Sequence, residues 1–107
     1  MEVSAWKSHK HGGTYGIRVG VENRRRFFNP LWKEIEVEID GTPHTFQLTS
    51  TFWSTCPEFR DSGATAIQDW LRCNYEILWP YRRPPRFALE VVGEQRFCLK
   101  PEPAHDK

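Results

Sequence analysis

Apolar and polar side chains alternate most regularly between residues 34 and 49. The positions that share the inner side of this pattern are Ile35, Val37, Ile39, His44, Phe46 and Leu48. Asp40 and Gly41 provide a turn signal between the two runs. Alternation with a period of two on both sides of such a signal predicts a β-hairpin with one apolar and one polar face. Because Pro43 has no N–H to donate to a ladder, we expect a turn of more than two residues.

Two further regions show the same alternation. Residues 15–21 carry an apolar side chain at every second position, which predicts a strand that is buried on one face. Residues 22–30 then break the pattern and are predicted to form a loop. Towards the C-terminus, alternation in Phe87–Val91 and again in Phe97–Leu99 predicts a second hairpin, with its turn at Gly93 and Glu94.

Proline positions suggest two boundaries in the second half of the chain. Pro57 suits the first turn of a short helix, for which Thr55 or Cys56 would be the cap. Three prolines restrict the backbone of residues 78–85, so we predict a rigid linker there.

A second helix is predicted after the turn formers at residues 61–63. Thr65 and Gln68 have the spacing of a capping box, in which the two side chains satisfy backbone N–H groups of the first turn. The apolar residues at helical spacing are Ile67, Trp70 and Leu71. This spacing predicts one buried helix face, with the helix ending near Asn74 or Tyr75.

The order of strand, hairpin, helices and hairpin predicts an α+β fold. We expect a small, strongly curved antiparallel sheet or partly closed barrel of about five strands, with one or two short helices. Residues 1–13 are polar and are predicted to form a flexible N-terminal arm. Residues 14–100 would form a single domain, and residues 101–107 a disordered tail.

Composition agrees with one globular domain of 107 residues. Five Trp, seven Phe and three Tyr are enough to dominate a core, since each buried aromatic removes about 150–250 Å² from water. The aromatic residues in the middle of the chain are Phe52, Trp53, Trp70, Tyr75 and Trp79, and we assign them first to this core. The three cysteines include no CxxC pair, which favours free thiols in a reducing compartment. Without a signal peptide or an apolar run of membrane-spanning length, we predict a cytoplasmic protein with no membrane contact.

The net charge of +1 conceals a strong segregation of charge. Residues 1–33 contain seven Lys or Arg and two Glu, whereas residues 34–61 contain one Arg and six acidic residues. Segregated charge creates a local field that attracts charged partners even when the net charge is small.

Two arginine clusters are the strongest candidates for binding. The predicted polyanion-binding residues are Arg24, Arg25, Arg26, Arg82, Arg83 and Arg86. The aromatic residues predicted to stack on a ligand or to contact a partner are Phe28, Trp79 and Tyr81. Arginine binds phosphate through paired hydrogen bonds and aromatic rings stack on unpaired bases, so this combination favours nucleic acid. An acidic protein partner, or simple pairing with Glu34, Glu36 and Glu38 across the surface, would also explain the clusters.

The candidates for catalytic or metal-binding residues are weaker than those for ligand binding. Cys56 would lie near a helix N-terminus, where a thiolate is stabilised, and His44 could act as its base. The cysteine spacing and the terminal histidines His9 and His11 support no closed zinc site, and no glycine-rich phosphate loop is present. We therefore predict no metal, no cofactor and no catalytic residue.

Three classes of protein remain open from the sequence. The favoured class is a small non-enzymatic module that binds nucleic acid or another polyanion. The pI of about 7.8 argues against a strong non-specific DNA-binding protein, for which values above about 9 are usual. The alternatives are a protein-interaction or regulatory module, including a homodimer, and an enzyme with Cys56 as its nucleophile.

Overall fold

The computed structural model describes residues 1–8, 13–75, 79 and 83–101, and within them the chain forms seven strands and three short helices. The strands are β1 (Glu2–Lys7), β2 (Tyr15–Arg18), β3 (Glu34–Ile39), β4 (Thr42–Gln47), β5 (Glu58–Arg60), β6 (Arg86–Gly93) and β7 (Arg96–Lys100). The helices are α1 (Val21–Phe27), α2 (Ser50–Ser54) and α3 (Ala66–Asn74). The predicted α+β class is confirmed, with more strands than expected. Of the predicted tail, only Pro101 lies among the described residues.

All seven strands belong to one sheet, in the order β4-β3-β7-β6-β1-β2-β5. Neighbouring strands are antiparallel except β3 and β7, which run parallel. The sheet curves until its two edge strands approach each other, with the ring centroids of Phe46 in β4 and Phe59 in β5 5.1 Å apart. The sheet is therefore nearly closed into a barrel, with an apolar concave side and a convex side that faces solvent.

The hairpin of β3 and β4 confirms the alternation but not the predicted turn. Ile39 pairs with Thr42, so the turn contains only Asp40 and Gly41, and the expectation of a longer turn is wrong. The φ angles of Asp40 and Gly41 are 51° and 83°, as a two-residue type I′ turn requires. Pro43 is accommodated because β4 is an edge strand, where a missing N–H need not remove a ladder bond.

The N-terminal segment differs from its prediction. Instead of an arm, Glu2–Lys7 form β1, which pairs with β2 on one side and β6 on the other. Val3 and Ala5 are buried in the core. Two apolar residues are too few to distinguish a strand from the polar sequence that follows, which is why the alternation was not informative.

The concave side of the sheet and the helices enclose one hydrophobic core. The largest fully buried side chains are Phe52, Phe59, Phe87, Phe97, Ile17, Ile35, Ile67, Leu71, Leu89 and Val37. Trp70 of α3 packs edge-on against Phe87, with ring centroids 4.9 Å apart. Trp53, Tyr75 and Trp79 are partly buried against the same core. The assignment of the aromatic residues to the core is thus confirmed.

The region around Pro57 also differs from its prediction. The helix lies upstream, in α2, where the hydroxyl of Thr49 accepts a hydrogen bond from the backbone N of Phe52 at 3.4 Å. Pro57 precedes β5 instead, and its carbonyl accepts a hydrogen bond from the backbone N of Val19 at 2.9 Å. The proline therefore connects β2 to β5 rather than starting a helix.

Helix α3 buries the predicted apolar face but has a different cap. The side chain of Thr65 makes no capping bond, and the predicted capping box is wrong. The carboxylate of Asp61 instead accepts hydrogen bonds from the backbone N of Ile67 at 2.8 Å and of Gln68 at 3.0 Å. Burial raises the pKa of Asp61 above its ordinary value, although these two N–H groups act to lower it. Asp61 occupies the cap because it directly follows β5, which ends beside the start of α3.

Candidate functional site

The first arginine cluster lies on a helix rather than in the predicted loop. Arg24, Arg25 and Arg26 occupy the last turn of α1, where positive side chains complement the helix dipole. Arg24 turns inward, and its Nη1 donates a hydrogen bond to the carbonyl of Phe52 at 2.7 Å. Arg25 and Arg26 are exposed. The three side chains therefore do not converge on one ligand: one connects α1 to α2, and two face solvent.

The second cluster is described only in part. Arg82 and Tyr81 lie outside the described residues, and Arg83 is exposed. Arg86 begins β6, and its Nη1 lies 3.3 Å from a carboxylate oxygen of Glu2. Both side chains of this pair are more than half exposed.

Glu2 contacts Arg86 and Asn23, the residue that precedes the first arginine cluster. Its side chain pairs with Arg86, and its backbone carbonyl accepts a hydrogen bond from Nδ2 of Asn23 at 2.8 Å. Asn23 directly precedes the arginines of α1, so α1 and the start of β6 flank the beginning of β1.

Two of the side chains predicted to stack on a ligand pack inside the protein. Phe28 is 5% exposed, and its ring lies 5.0 Å from that of Phe97 and 5.3 Å from that of Phe52. The stacking role predicted for Phe28 is wrong, because neither face of its ring is open to a ligand. Trp79 is partly buried and meets the ring of Tyr15 edge-on, with centroids 6.2 Å apart. Trp79 thus contributes to packing.

A different set of cations lies on the convex side of the sheet. The strand register aligns Arg86 of β6, Ser4 of β1, Arg18 of β2 and Glu58 of β5 in one row. Neighbouring strands are about 4.8 Å apart, so Arg86 and Arg18 are separated by about 10 Å. Nε and Nη2 of Arg18 lie 3.1 and 3.0 Å from the same oxygen of Glu58, whose side chain is only 4% exposed. Arg18 therefore neutralises a buried carboxylate while part of its guanidinium remains at the surface.

The next row across the same strands contains Trp6, Gly16 and Arg60. A Cβ at Gly16 would lie 2.4 Å from the carbonyl oxygen of Phe59, so no other residue fits there without a shift of the backbone. The side chain of Arg60 extends across this gap, with its Cζ 4.7 Å from the centroid of the Trp6 ring, within the range of a cation–π contact. We call the convex surface formed by Trp6, Arg18, Arg60 and Arg86 the basic face.

Sequence reasoning missed three of the four residues of the basic face. Arg18 occupies an outward position of a predicted strand, so strand alternation alone could have identified it. Arg60 belongs to an acidic stretch of the sequence, and Trp6 belongs to the segment predicted to be an arm. Their contact depends on the register of β1, β2 and β5, which no local pattern reveals.

The glutamates of β3 lie on the same convex side, separated by β7 from β6, the nearest strand of the basic face. Glu34 and Glu38 are exposed, and Glu36 pairs with Arg96 of β7 at 3.3 Å. Among the described residues, neither arginine cluster pairs with these glutamates. The polar face predicted for this hairpin is thus confirmed at Glu34 and Glu38, whereas pairing of the arginine clusters with these glutamates receives no support.

The proposed cysteine nucleophile loses its physical basis. Cys56 follows α2, and its backbone N donates to the carbonyl of Thr51 at 2.9 Å. The residue therefore lies at the C-terminal end of a helix, where the dipole does not favour a thiolate. Burial raises the pKa of the Cys98 thiol, which also disfavours a thiolate at neutral pH.

His44 lines a shallow cleft of about 250 Å³ between α3 and the hairpin of β3 and β4. The other ionisable residues of this cleft are Asp40, Asp69 and Cys73. Cys56 is not part of the lining, so the cleft does not bring the predicted base to the predicted nucleophile. Nowhere in the described part of the chain do three or more His, Cys, Asp or Glu side chains form a group that could hold a metal ion.

Comparison with known proteins identifies no relative: no protein-family model, curated protein or solved structure matches the chain. No helix within the described residues is long and apolar enough to cross a membrane. The basis for a functional assignment is therefore the geometry and charge of the surface, above all of the basic face.

Proposed function

We propose that this protein is a non-enzymatic module that binds nucleic acid or another polyanion on its basic face. The observation that carries the proposal is an exposed Arg60 held over Trp6, on β5 and β1, whose neighbouring strands β2 and β6 present Arg18 and Arg86. Guanidinium groups donate paired hydrogen bonds to phosphate oxygens. Contacts of this kind supply most of the sequence-independent affinity for nucleic acid.

The ion pairs of the structure favour different contributions of the individual arginines to phosphate binding. Arg25, Arg26 and Arg60 have no carboxylate partner among the described residues, so a phosphate can bind them without displacing one. Arg86 pairs with Glu2 at the surface, where such a pair is worth only about 0–1 kcal/mol, and a phosphate can compete for it.

Arg18 is expected to contribute less to binding than the other arginines. Two of its three nitrogens are committed to Glu58, which leaves Nη1 for a ligand. Removing Arg18 would also leave a buried carboxylate without its partner, a change that destabilises a fold strongly. Binding experiments should therefore leave Arg18 intact.

Fluorescence anisotropy with a labelled oligonucleotide of about 16 nucleotides tests the proposal. Affinity is expected to fall steeply between about 50 and 200 mM salt, because binding releases counterions. Replacing Arg60 and Arg86 together by alanine should reduce the slope of log affinity against log salt by about two.

Arg72 provides the matched control for this experiment. It is exposed on α3, a helix that packs against the core rather than on the convex side of the sheet. The variant Arg72→Ala should therefore retain wild-type affinity and salt dependence. Absence of binding to both single- and double-stranded oligonucleotides at low salt would refute the proposal, as would an equal loss of affinity in the control.

Self-association is a second candidate, which exposed apolar side chains favour. Leu31 is 85% exposed, and Val91 and Val92 are about half exposed. Val91 pairs with Phe97, and the ring of Phe97 contacts Trp32, the residue that follows Leu31. Leu31 and Val91 therefore lie towards the same end of the barrel. Sedimentation velocity should then detect a dimer that Leu31→Ser weakens, and a monomer at every concentration removes this candidate.

A further inference from the structure

The contact between Arg60 and Trp6 has the properties of a stacking platform. The guanidinium of Arg60 lies over the indole ring, with its Cζ 4.7 Å from the ring centroid. Because Arg60 is exposed, the side of the guanidinium that faces away from Trp6 is open to solvent. Guanidinium planes and aromatic rings are the two kinds of protein surface on which unpaired bases stack.

Three neighbouring strands hold this platform in place. Gly16 of β2 lies between Trp6 of β1 and Arg60 of β5 in the register, and it contributes no side chain that would separate them. A free arginine side chain loses conformational entropy when a ligand orders it. An arginine that already rests on a ring loses less, so the arrangement is preorganised for a planar ligand.

From this platform, and on the basis of the proposed function, we infer that the ligand is single-stranded nucleic acid. One unpaired base stacks on the open side of Arg60, and Arg86 binds a phosphate of the same strand. A duplex does not satisfy this arrangement, because its bases are stacked on each other and are unavailable to a protein side chain.

Competition anisotropy with an abasic oligomer separates base stacking from phosphate binding. The competitors are a thymidine oligomer of about 12 nucleotides, an abasic oligomer of the same length and a duplex of that length. Stacking of one base predicts a preference of about tenfold for the thymidine strand over the abasic strand. A uridine RNA oligomer, measured beside the DNA strand, distinguishes the two sources of unpaired bases.

Arg60→Lys is the decisive variant, because lysine retains the charge and removes the planar surface. It should lose the preference for the thymidine strand, while the salt dependence of binding stays unchanged. Arg72→Lys is the matched control: it makes the same change at an exposed arginine of α3, outside the basic face, and should keep the preference for the thymidine strand. Both side chains are exposed, and circular dichroism confirms that each variant folds.

The possible results separate this inference from the proposed function. Equal affinity of the wild-type protein for the thymidine and abasic strands overturns the inference but leaves phosphate binding intact. Equal affinity for the duplex and the single strand also overturns the inference but not phosphate binding. An unchanged preference of Arg60→Lys for the thymidine strand does the same. Failure to bind any of the competitors refutes the proposed function and the inference together.

Discussion

Replacing Asp61 by alanine is expected to loosen the start of α3. The carboxylate accepts two backbone hydrogen bonds, from Ile67 at 2.8 Å and from Gln68 at 3.0 Å. Loss of a side-chain cap of this kind costs about 0.5–2 kcal/mol. A domain of this size has a stability of about 5–15 kcal/mol, so the loss is a measurable fraction of the total. Each kcal/mol should lower the melting temperature by about 4–8 °C.

The pH dependence of this effect has a definite sign. Burial raises the pKa of Asp61 above 3.8 and Asp69 adds to this rise, whereas the two backbone N–H groups and His44 lower it. The folded protein therefore keeps this proton at pH values where the unfolded chain has lost it. The stability that Asp61 contributes is greatest below 3.8 and decreases as the pH rises through the raised pKa. Asp61→Ala should thus destabilise the protein more in acid than at neutral pH.

Urea unfolding of the wild type and of Asp61→Ala, from about pH 3 to about pH 7, measures this difference. Titration of the other carboxylates affects both proteins and largely cancels when their unfolding free energies are subtracted. Glu90→Ala, which removes an exposed carboxylate from β6, is the control and should show little change. A difference for Asp61→Ala that stays constant or grows with pH would refute the reasoning, since the hydrogen bonds would then outweigh burial.

Three further substitutions and one control test the packing, a hydrogen bond and a turn. Phe97→Ala should lower the unfolding free energy by about 3–5 kcal/mol in chemical denaturation, because the ring is buried in the aromatic core; a loss below 1 kcal/mol would contradict this. Arg24→Ala should lower the unfolding free energy by about 1–3 kcal/mol, because it removes the hydrogen bond to the carbonyl of Phe52. Arg25→Ala should change the unfolding free energy by less than about 0.5 kcal/mol. Equal melting temperatures of these two variants would contradict the prediction. Gly41→Ala should cost about 1–2 kcal/mol because of its positive φ, as thermal unfolding can show.

Elements with a strong local pattern could be predicted from the sequence. The hairpin of β3 and β4 combines strict alternation with the turn formers Asp40 and Gly41. Helix α3 repeats apolar residues at helical spacing and ends at Asn74, as expected. In both cases the residues that define the element lie within a few positions of each other, so no knowledge of the rest of the fold is needed.

Elements that depend on distant contacts could not be predicted. Helix α1 has no buried residue, and it is held by Asn23 on β1 and by Arg24 on α2, two contacts that only the fold creates. The cap of α3 comes from Asp61 rather than Thr65, because the end of β5 brings the carboxylate to the helix. In both cases contacts between distant parts of the chain, rather than the local sequence, determine the structure.

The candidate site shows the same division. The arginine clusters could be recognised in the sequence, and Arg25, Arg26, Arg83 and Arg86 are indeed exposed. The contact of Arg60 with residues far away in the sequence was not visible, because it arises from strand pairing. A surface built from several strands can be inferred only after the register is known.

The place of β6 and β7 in the sheet has a consequence for biosynthesis. These two strands lie between β3 and β1, so the earlier strands form two separate groups, β3–β4 and β1–β2–β5, that no ladder joins without them. Pairing between residues so far apart in sequence forms slowly. Until it does, the edges of β1 and β3 are open to other chains and prone to aggregate. The strand pair that unites the two groups leaves the ribosome after the other five strands of the described sheet.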